Sequence, residues 1–347
     1  MPNKDFRKII EGKKVLVTGG AGFIGSNLCE SLLMQGNKVV CFDDFSTGKI
    51  ENIESLLTHP DFLLVRGSIC NFEECKKVVK GMDLILHQAA LGSVPRSIHD
   101  PLTTNNINIG GFVNMIFAAV EGGVKRFVYA ASSSTYGDHP GLTKVENKIG
   151  KPLSPYAVSK YANELYSGVF SSLYGIETIG LRYFNVFGKK QDPEGAYAAA
   201  IPKFIKSFIE GKSPVIYGDG NQSRDFTYVE NVVHANNLAA TTQNPKALNN
   251  VFNVAYGEST NLNELVILLR DFLLPFDHSI SNIKIIYEKE RIGDIVHSLA
   301  SIKKAKRLLR YSPQFDLKKG LEKAIHWYWE NLQRGLPENS AGKKISI

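Results

Sequence analysis

Tyr156 and Lys160 lie four residues apart in a segment whose pattern predicts a helix, so a phenol and an ammonium group share one helix face. A free tyrosine has a pKa of about 10, and a nearby positive charge favours its ionised form. Ser132, Ser133 and Ser134 follow a predicted strand upstream of this pair. The combination predicts a tyrosine that accepts and donates a proton, with serine hydroxyls beside it.

A glycine-rich segment joins the first predicted strand to the first predicted helix. Gly19 can form a tight turn, Gly22 lets the backbone approach a pyrophosphate at the helix amino terminus, and Gly25 lets helix and strand pack closely. Asp43 ends the next predicted strand, where a carboxylate accepts hydrogen bonds from an adenosine ribose and repels a 2′-phosphate. The pattern therefore predicts NAD, with these cofactor-binding candidates: Gly19, Gly22, Phe23, Ile24, Gly25, Asp43, Asp44, Ser46, Thr47 and Gly48.

The elements that must position these residues alternate between short apolar runs and helical periodicity, which is typical of a parallel sheet with helices on both faces. We expect an α/β protein with a Rossmann-type doubly wound parallel sheet, whose ligands bind beyond the carboxyl ends of the strands. The predicted strands are Lys14–Thr18, Lys38–Phe42, Phe62–Arg66, Leu84–His87, Arg126–Ala131 and Thr178–Tyr183, and the predicted helices are Phe23–Gln35, Glu73–Lys80, Leu102–Glu121 and Tyr156–Tyr174.

From about Asn185 the predicted elements become shorter and the loops longer, which suggests a smaller carboxy-terminal α/β region that binds substrate. We expect residues 1–184 to form the NAD-binding domain with the catalytic residues, residues 185–335 to form mainly the substrate-binding region, and residues 336–347 to be a polar tail. The prediction leaves open that the chain crosses between the two regions more than once. The predicted later elements are strands Pro214–Tyr217, Arg224–Tyr228 and Val251–Val254 and helices Val229–Thr241 and Leu262–Leu274.

Composition argues against several other classes of protein. The net charge is +7, but the basic residues are dispersed and no nucleic-acid-binding motif is present, so we expect no nucleic-acid partner. The four cysteines lack metal-ligand spacing, which predicts no metal and reduced thiols in a cytoplasmic protein. The first residues are polar and no apolar run could cross a bilayer, so we expect neither a secretory signal nor a membrane partner.

Three motifs resemble the extended short-chain dehydrogenase/reductase family: Thr18–Gly25, the Tyr156/Lys160 pair and Leu181–Gly188. The resemblance extends from about Lys14 to Asn331. Two further segments, Leu91–Ser97 and Ser132–Pro140, are similar to the UDP-N-acetylglucosamine 4-epimerases of the UDP-hexose 4-epimerase group.

The resemblance implies an isomerase that holds NAD tightly and regenerates it in each cycle. Tyr156 would remove the proton of the sugar 4-hydroxyl while NAD oxidises C4, and return of the hydride to the other face would invert C4. Lys160 would hold the nicotinamide ribose and lower the phenol pKa, and Ser132, Ser133 and Ser134 would bond the substrate. Further implied cofactor contacts are Ser68, Ile69, Gln88 and Tyr183.

The resemblance also implies a UDP-sugar substrate. Arg224 and Arg291 would bind the diphosphate, Val215 to Tyr217 would lie beside the uracil, and Asp294 would contact the nucleotide. A small residue at Ser298 would leave room for a 2-acetamido group, although one pocket residue contributes only about 1–3 kcal/mol to such a preference. The substrate-binding candidates are Gly92, Ser93, Asn185, Ala199, Val215, Tyr217, Arg224, Arg291, Asp294 and Ser298.

The expected reaction is the interconversion of UDP-GlcNAc and UDP-GalNAc, or of their uronic acids, for surface polysaccharide precursors. A homodimer formed through the two long helices, Leu102–Glu121 and Tyr156–Tyr174, is implied by likeness alone. UDP-glucose/UDP-galactose epimerisation stays open, as does a non-catalytic nucleotide-binding sensor. Dehydration is disfavoured because Ser133 and Ser134 replace the acids that sugar-nucleotide dehydratases carry.

The chain departs from the family pattern in two places. The run Gly67–Asn71 lacks the two acids usual after the third strand, so an adenine contact at Ser68 would be neutral. Gly110 weakens the predicted long helix around Asn108, because glycine costs up to about 1 kcal/mol relative to alanine inside a helix.

Overall fold

The computed structural model describes residues 10–193, 199–290 and 297–333. The strands are β1 (Lys14–Thr18), β2 (Lys38–Asp43), β3 (Phe62–Arg66), β4 (Leu84–His87), β5 (Arg126–Ser132), β6 (Thr143–Lys144), β7 (Glu177–Tyr183), β8 (Val186–Phe187), β9 (Val215–Tyr217), β10 (Ser223–Arg224), β11 (Thr227–Tyr228), β12 (Asn250–Val254), β13 (Thr260–Asn261), β14 (Ile286–Glu288) and β15 (His297–Ala300). The α-helices are α1 (Phe23–Met34), α2 (Phe72–Val78), α3 (Val94–His99), α4 (Pro101–Asn105), α5 (Phe112–Glu121), α6 (Pro155–Tyr174), α7 (Ala200–Ile209), α8 (Val229–Thr241), α9 (Leu262–Leu273), α10 (Lys303–Leu309) and α11 (Leu317–Gln333).

The largest sheet has seven strands in the order β12-β7-β5-β4-β1-β2-β3, and every neighbouring pair is parallel. The predicted Rossmann-type fold is confirmed. The register places Thr18 opposite both Phe42 and His87, so the carboxyl ends of β1, β2 and β4 lie together at one edge. Ser132 likewise lies opposite Tyr183, which aligns the ends of β5 and β7.

Both faces of the sheet are buried at the central strands β1, β4 and β5, in agreement with their apolar sequences. Val15 and Val17 of β1 pack into one hydrophobic cluster, whereas Leu16 packs into a second cluster on the opposite face. This separation follows from the alternation of side chains along a strand. A third cluster fills the carboxy-terminal region, where Phe204 of α7, Leu269 of α9 and other residues pack together.

After residue 185 the chain returns to the large sheet. Strand β12 pairs with β7, and α8 packs against α1. The other strands of this region form three small sheets, β13-β10-β15-β6, β11-β8 and β14-β9, the first of which also includes β6 from the amino-terminal half. The division of the chain at residue 184 stays a prediction, and the predicted tail 336–347 lies outside the described residues.

Two predicted elements are wrong in detail. Arg224–Tyr228 is not one strand, because β10 and β11 belong to different sheets and Asp225 and Phe226 between them are part of neither. The helix predicted over Leu102–Glu121 is divided into α4, a π-helical turn at Asn106–Gly111, and α5. The weakness expected at Gly110 therefore takes the form of a π turn. Within the described ranges, no helix is both long and apolar enough to span a membrane.

Candidate active site

A cavity of about 480 Å³ opens at the carboxyl ends of the large sheet, where ligands were expected. It brings together residues of α1, β2, β5, β7 and α6 and of the loops that follow β1 and β4, which are far apart in sequence. The sequence-predicted residues that line it are Gly19, Gly22, Phe23, Ile24, Gly25, Asp43, Asp44, Ser46, Thr47, Ile69, Gln88, Gly92, Ser132, Ser133, Tyr156, Lys160, Tyr183 and Asn185. Its lining also includes residues that the sequence did not single out, among them Leu91, Ile107 and Val186.

The glycine-rich turn packs so closely that larger residues do not fit. Gly19 has a φ of +64°, and a Cβ there would lie 2.8 Å from the Cα of Ala89. A Cβ on Gly25 would collide with the carbonyl oxygen of Gly19. Gly22 precedes α1 in an extended conformation and has no side chain to cap the helix, so the first amides of α1 are directed at the cavity. This cradle suits a pyrophosphate at a helix amino terminus.

Asp43 ties the glycine turn to the end of β2. Its Oδ2 accepts a hydrogen bond from the Ala21 amide at 2.9 Å, and its Oδ1 accepts one from the Phe45 amide at 2.8 Å. Burial raises the pKa of Asp43, and these two bonds oppose that effect. Each oxygen keeps a second lone pair, so the carboxylate can also accept ribose hydroxyls. Gly48 lines no cavity wall, but a Cβ there would lie 2.7 Å from Asp43 Oδ1.

The loop after β3 shows how the two missing acids are replaced. Ser68 donates its hydroxyl to Asp44 Oδ2 at 3.1 Å, and its amide donates to Glu74 Oε2 at 2.8 Å. Glu74, on α2, was missed by the sequence analysis and supplies a carboxylate at this loop. Ser68 itself does not line the cavity, whereas Gly67 and Ile69 on either side do.

Tyr156 and Lys160 lie in the first turns of α6, which Ser154 caps by accepting a hydrogen bond from the Ala157 amide at 3.1 Å. The Lys160 Nζ donates to the Ala130 carbonyl oxygen at 2.9 Å and lies 6.0 Å from the centroid of the Tyr156 ring. Burial lowers the pKa of Lys160 to about 8. An ammonium has three N–H bonds, so donors remain for a ligand.

The predicted lowering of the Tyr156 pKa by Lys160 is not what the structure shows. Burial raises the pKa of Tyr156, and the opposing effect comes from a hydrogen bond with Ser132. Ser132 Oγ lies 2.8 Å from Ser134 Oγ and accepts the Ser134 amide at 3.2 Å. Ser132 and Ser133 line the cavity, whereas Ser134 supports Ser132 from outside it.

A closed ring of hydrogen bonds fixes two cavity residues. Asn236 Nδ2 donates to the Tyr183 hydroxyl at 2.9 Å, Tyr183 donates to Gln88 Oε1 at 3.1 Å, and Gln88 Nε2 donates to Asn236 Oδ1 at 3.3 Å. Asn236 lies on α8 and is fully buried. The sequence alone does not reveal Asn236, because nothing in its local sequence distinguishes a buried asparagine from an exposed one.

His87 lies near the reactive groups, but its ring is not a proton-transfer group of the site. Its Nδ1 lies 2.8 Å from Thr18 Oγ1, which also accepts the Ala89 amide at 3.3 Å. Burial, together with the Lys160 charge, lowers the pKa of His87 to about 3. The imidazole is therefore neutral at physiological pH.

The π turn positions the loop that follows β4. Asn108 Oδ1 accepts the Leu91 amide at 2.8 Å, and its Nδ2 donates to the Leu91 carbonyl and to Ser159 Oγ, both at 3.1 Å. Leu91 and Gly92 line the cavity. Ser93 does not, because its Oγ accepts the Arg96 amide at 3.1 Å and caps α3.

A second cavity of about 430 Å³ adjoins the first, and Asn185 and Val186 line both. The predicted residues Ala199, Val215, Tyr217 and Arg224 line it, as do Lys203 and Gln222, which were not predicted. Ser298 lines neither cavity; it pairs with Arg224 in the register of β15 and β10. Arg291 and Asp294 lie outside the described residues.

Comparison with known proteins identifies the family. Residues 15–255 match the NAD dependent epimerase/dehydratase family. The chain belongs to this family. The family's dependence on NAD agrees with the pyrophosphate cradle at Gly19–Gly25 and with the ribose acceptor Asp43.

Similar proteins in this family include both solved structures and curated sequences. The chain is 38% identical to a UDP-N-acetylglucosamine 4-epimerase from Methanobrevibacter ruminantium M1, solved with UDP-N-acetylmuramic acid, with a TM-score of 0.87 over 93% of this chain and 100% of that one. It is 31% identical to a UDP-glucuronic acid 4-epimerase from Bacillus cereus, solved with UDP-glucuronic acid and NAD, with a TM-score of 0.83 over 92% and 99% of the two chains. It is also 32% identical to a UDP-glucose 4-epimerase of Mycolicibacterium smegmatis over 91% of this chain and 98% of that protein.

Proposed function

We propose that this protein is a UDP-sugar 4-epimerase that interconverts UDP-GlcNAc and UDP-GalNAc, with the corresponding uronic acids as further substrates. The observation that carries the proposal is the junction of the two cavities at Asn185. The first cavity holds the cradle for NAD together with Tyr156 and Ser132, and the second offers Arg224 for a diphosphate. A sugar attached to UDP in the second cavity would reach Tyr156 in the first.

The chemistry divides between cofactor and protein. Bound NAD would supply reversible hydride transfer at C4 of the sugar. Tyr156 accepts the proton of the 4-hydroxyl and later gives it back. Ser132 has one hydroxyl proton, which it donates to Tyr156 while the phenol is ionised and to the oxygen at C4 once Tyr156 is protonated. The bond from Ser132 stabilises the phenolate, which offsets part of the effect of burial on the Tyr156 pKa. Lys160 adds a positive charge to this region and would bind the nicotinamide ribose.

The distribution of acids supports epimerisation over dehydration. Among the described residues that line the first cavity, Asp43 and Asp44 carry the only carboxylates, and both lie at the end of β2. Elimination of water from the sugar needs a proton donor beside Tyr156. Of the two residues that replace the dehydratase acids, Ser133 lines the cavity with a hydroxyl instead of a carboxylic acid, and Ser134 does not line it.

The preference for N-acetylated sugars is supported by the 38% identity to the Methanobrevibacter enzyme. The size of Ser298 does not add support, because this residue lines neither cavity. The Mycolicibacterium relative favours UDP-glucose/UDP-galactose as the alternative substrate pair. Purified protein should contain NAD, released on denaturation, and should convert UDP-GlcNAc without added cofactor or reductant. Equal or faster turnover of UDP-glucose, or of UDP-N-acetylglucosaminuronate, would replace the neutral N-acetyl assignment.

Tyr156→Phe tests the mechanism directly. The variant removes the acid–base group, so we expect turnover to fall by about a factor of 10² to 10⁴ while NAD remains bound. Tyr166→Phe is the matched control, since it makes the same change on an exposed part of α6. Full activity in Tyr156→Phe would refute the mechanism, and wild-type protein that binds UDP-GlcNAc without converting any UDP-sugar would favour a nucleotide sensor.

We also propose a homodimer that uses α4 and α6. Large apolar side chains remain exposed there, including Leu102 at 82%, Leu165 at 56%, Val169 at 51% and Leu173 at 71% exposure. Leu165, Val169 and Leu173 are spaced by four residues and form one stripe along α6. A second copy of the chain would cover this stripe. The cytoplasmic location and the role in polysaccharide precursor synthesis stay predictions.

A further inference from the structure

The two residues between β10 and β11 include a buried carboxylate, Asp225, which is not among the cofactor, substrate or catalytic residues named above. Asp225 is fully buried. Its Oδ1 accepts the Tyr256 amide at 3.2 Å, and its Oδ2 accepts the Gly257 amide at 3.1 Å and the Ala300 amide at 3.3 Å. The donors come from two separate segments, the loop after β12 and the end of β15. One side chain therefore joins three parts of the carboxy-terminal region.

The backbone of Asp225 extends these contacts to the proposed substrate residues. Its amide donates to the Ser298 carbonyl oxygen at 2.9 Å, and its own carbonyl oxygen accepts Asn185 Nδ2 at 3.1 Å. Asn185 has a φ of +34°, a conformation that non-glycine residues rarely adopt unless their surroundings hold them. The Asn185 carbonyl in turn accepts the Thr227 amide at 3.2 Å. Asn185 is thus held by hydrogen bonds to Asp225 and Thr227, the residues on either side of Phe226.

Arg224 is the residue immediately before Asp225 and lines the second cavity, whereas Asn185 lines both cavities. We propose that Asp225 is a positioning residue of the UDP-sugar site, which holds Arg224 and Asn185 in register at the junction of the two cavities. The inference rests on the proposed function. Asp225 touches neither NAD nor sugar in this assignment, and it acts through the backbone that carries its neighbours.

The ionised carboxylate is the form that can accept all three amides, since a protonated oxygen would turn an O–H toward an N–H donor. Burial raises the pKa of Asp225 to about 7, and the charge of Glu258 adds to the effect. Among the described residues, Tyr311 also interacts electrostatically with Asp225, whose charge raises the pKa of the phenol. Acidification from pH 8 to pH 6 should therefore weaken the binding of a UDP-sugar.

The experiment measures binding of UDP-GlcNAc by calorimetry to the Tyr156→Phe protein, which does not turn it over. Asp225→Asn in that background places an amide against the three donors, and we expect the Kd to rise about tenfold or more. If the protonated form binds tenfold more weakly, the Kd of the parent protein rises about fivefold between pH 8 and pH 6, whereas that of Asp225→Asn stays constant. NAD content should be the same in both proteins.

Asp219→Asn is the matched control, because it makes the same change in an exposed loop just before β10. Equal Kd values and parallel pH profiles for the parent and Asp225→Asn would overturn the positioning role while leaving the proposed function intact. Failure of the Tyr156→Phe parent to bind any UDP-sugar would instead overturn the proposed function, and the inference with it. If Asp225→Asn does not fold, the pH profile of the parent decides, and a constant Kd refutes the role.

Discussion

His87 gives the protein a pH-dependent stability that can be calculated from its surroundings. The imidazole is fully buried between Phe112 and Phe127, with ring centroids 5.5 Å away in both cases. Burial and the Lys160 charge lower its pKa to about 3, whereas an exposed histidine has a pKa of about 6.5. Between these two values the unfolded chain binds a proton that the folded protein does not. The folded state therefore loses stability as pH falls below about 6.5.

The magnitude follows from proton linkage. Between pH 7.5 and pH 5.5 an unfolded histidine of pKa 6.5 gains about 1.4 kcal/mol of proton-binding free energy, and a folded pKa near 3 gains almost none. The result is insensitive to the folded value as long as it lies well below 5.5. His87→Gln removes this titration. We expect the free energy of unfolding of the wild type to fall by about 1.4 kcal/mol more than that of His87→Gln over this interval.

Urea unfolding at pH 7.5, 6.5 and 5.5 measures the effect. The change with pH is compared, because His87→Gln also alters the ring contacts and shifts the absolute stability. His278→Gln, on an exposed turn, controls for the substitution and should stay within about 0.5 kcal/mol of the wild type at each pH. Equal pH slopes for the wild type and His87→Gln would show that the folded protein protonates His87, and the burial argument would be wrong.

Two further predictions concern the cofactor cradle and the proposed dimer. Gly25→Ala should reduce the NAD that copurifies and destabilise the protein by about 1–3 kcal/mol, because its Cβ would lie 2.8 Å from Gly20 Cα. Gly168→Ala is the control, because the space around Gly168 is open. Retention of NAD by Gly25→Ala would contradict the packing argument. Leu165→Glu should convert a dimer to a monomer in light scattering, whereas Met34→Glu, which is 71% exposed on α1, should not. A monomeric wild type would remove the dimer proposal.

Local sequence patterns predicted the features that depend on neighbouring residues. The strand–turn–helix around Gly22 follows from apolar alternation and glycine chemistry within one short segment. The strand end at Asp43 and the helix beginning near Tyr156 are of the same kind. Parallel strands align their carboxyl ends, so correct strand ends were sufficient to bring Ser132, Tyr156 and Asp43 to one edge.

Contacts between distant segments could not be predicted in this way. Asn236 completes a ring of hydrogen bonds with Gln88 and Tyr183. The Asp225 carboxylate accepts the amides of Tyr256, Gly257 and Ala300. Each pairing depends on how separate elements pack. Their sequence signal is only a polar residue in an apolar setting. The same limit explains the wrong strand at Arg224–Tyr228, because the pairing of β10 and β11 with different sheets depends on segments distant in sequence.

The loop after β3 shows why substitution of a motif residue does not by itself measure loss of a site. Ser68 removes a carboxylate from the family pattern, and the sequence alone implies a neutral contact there. The Ser68 hydroxyl proton is committed to Asp44, which leaves its oxygen as an acceptor, and its amide is committed to Glu74. Asp44 and Glu74 hold this loop, so carboxylates remain at the ends of β2 and β3, although they stand at other positions than in the family pattern. The predicted preference for a ribose without a 2′-phosphate rests on Asp43, which lines the cavity, so the substitution at Ser68 leaves the determinant that favours NAD in place.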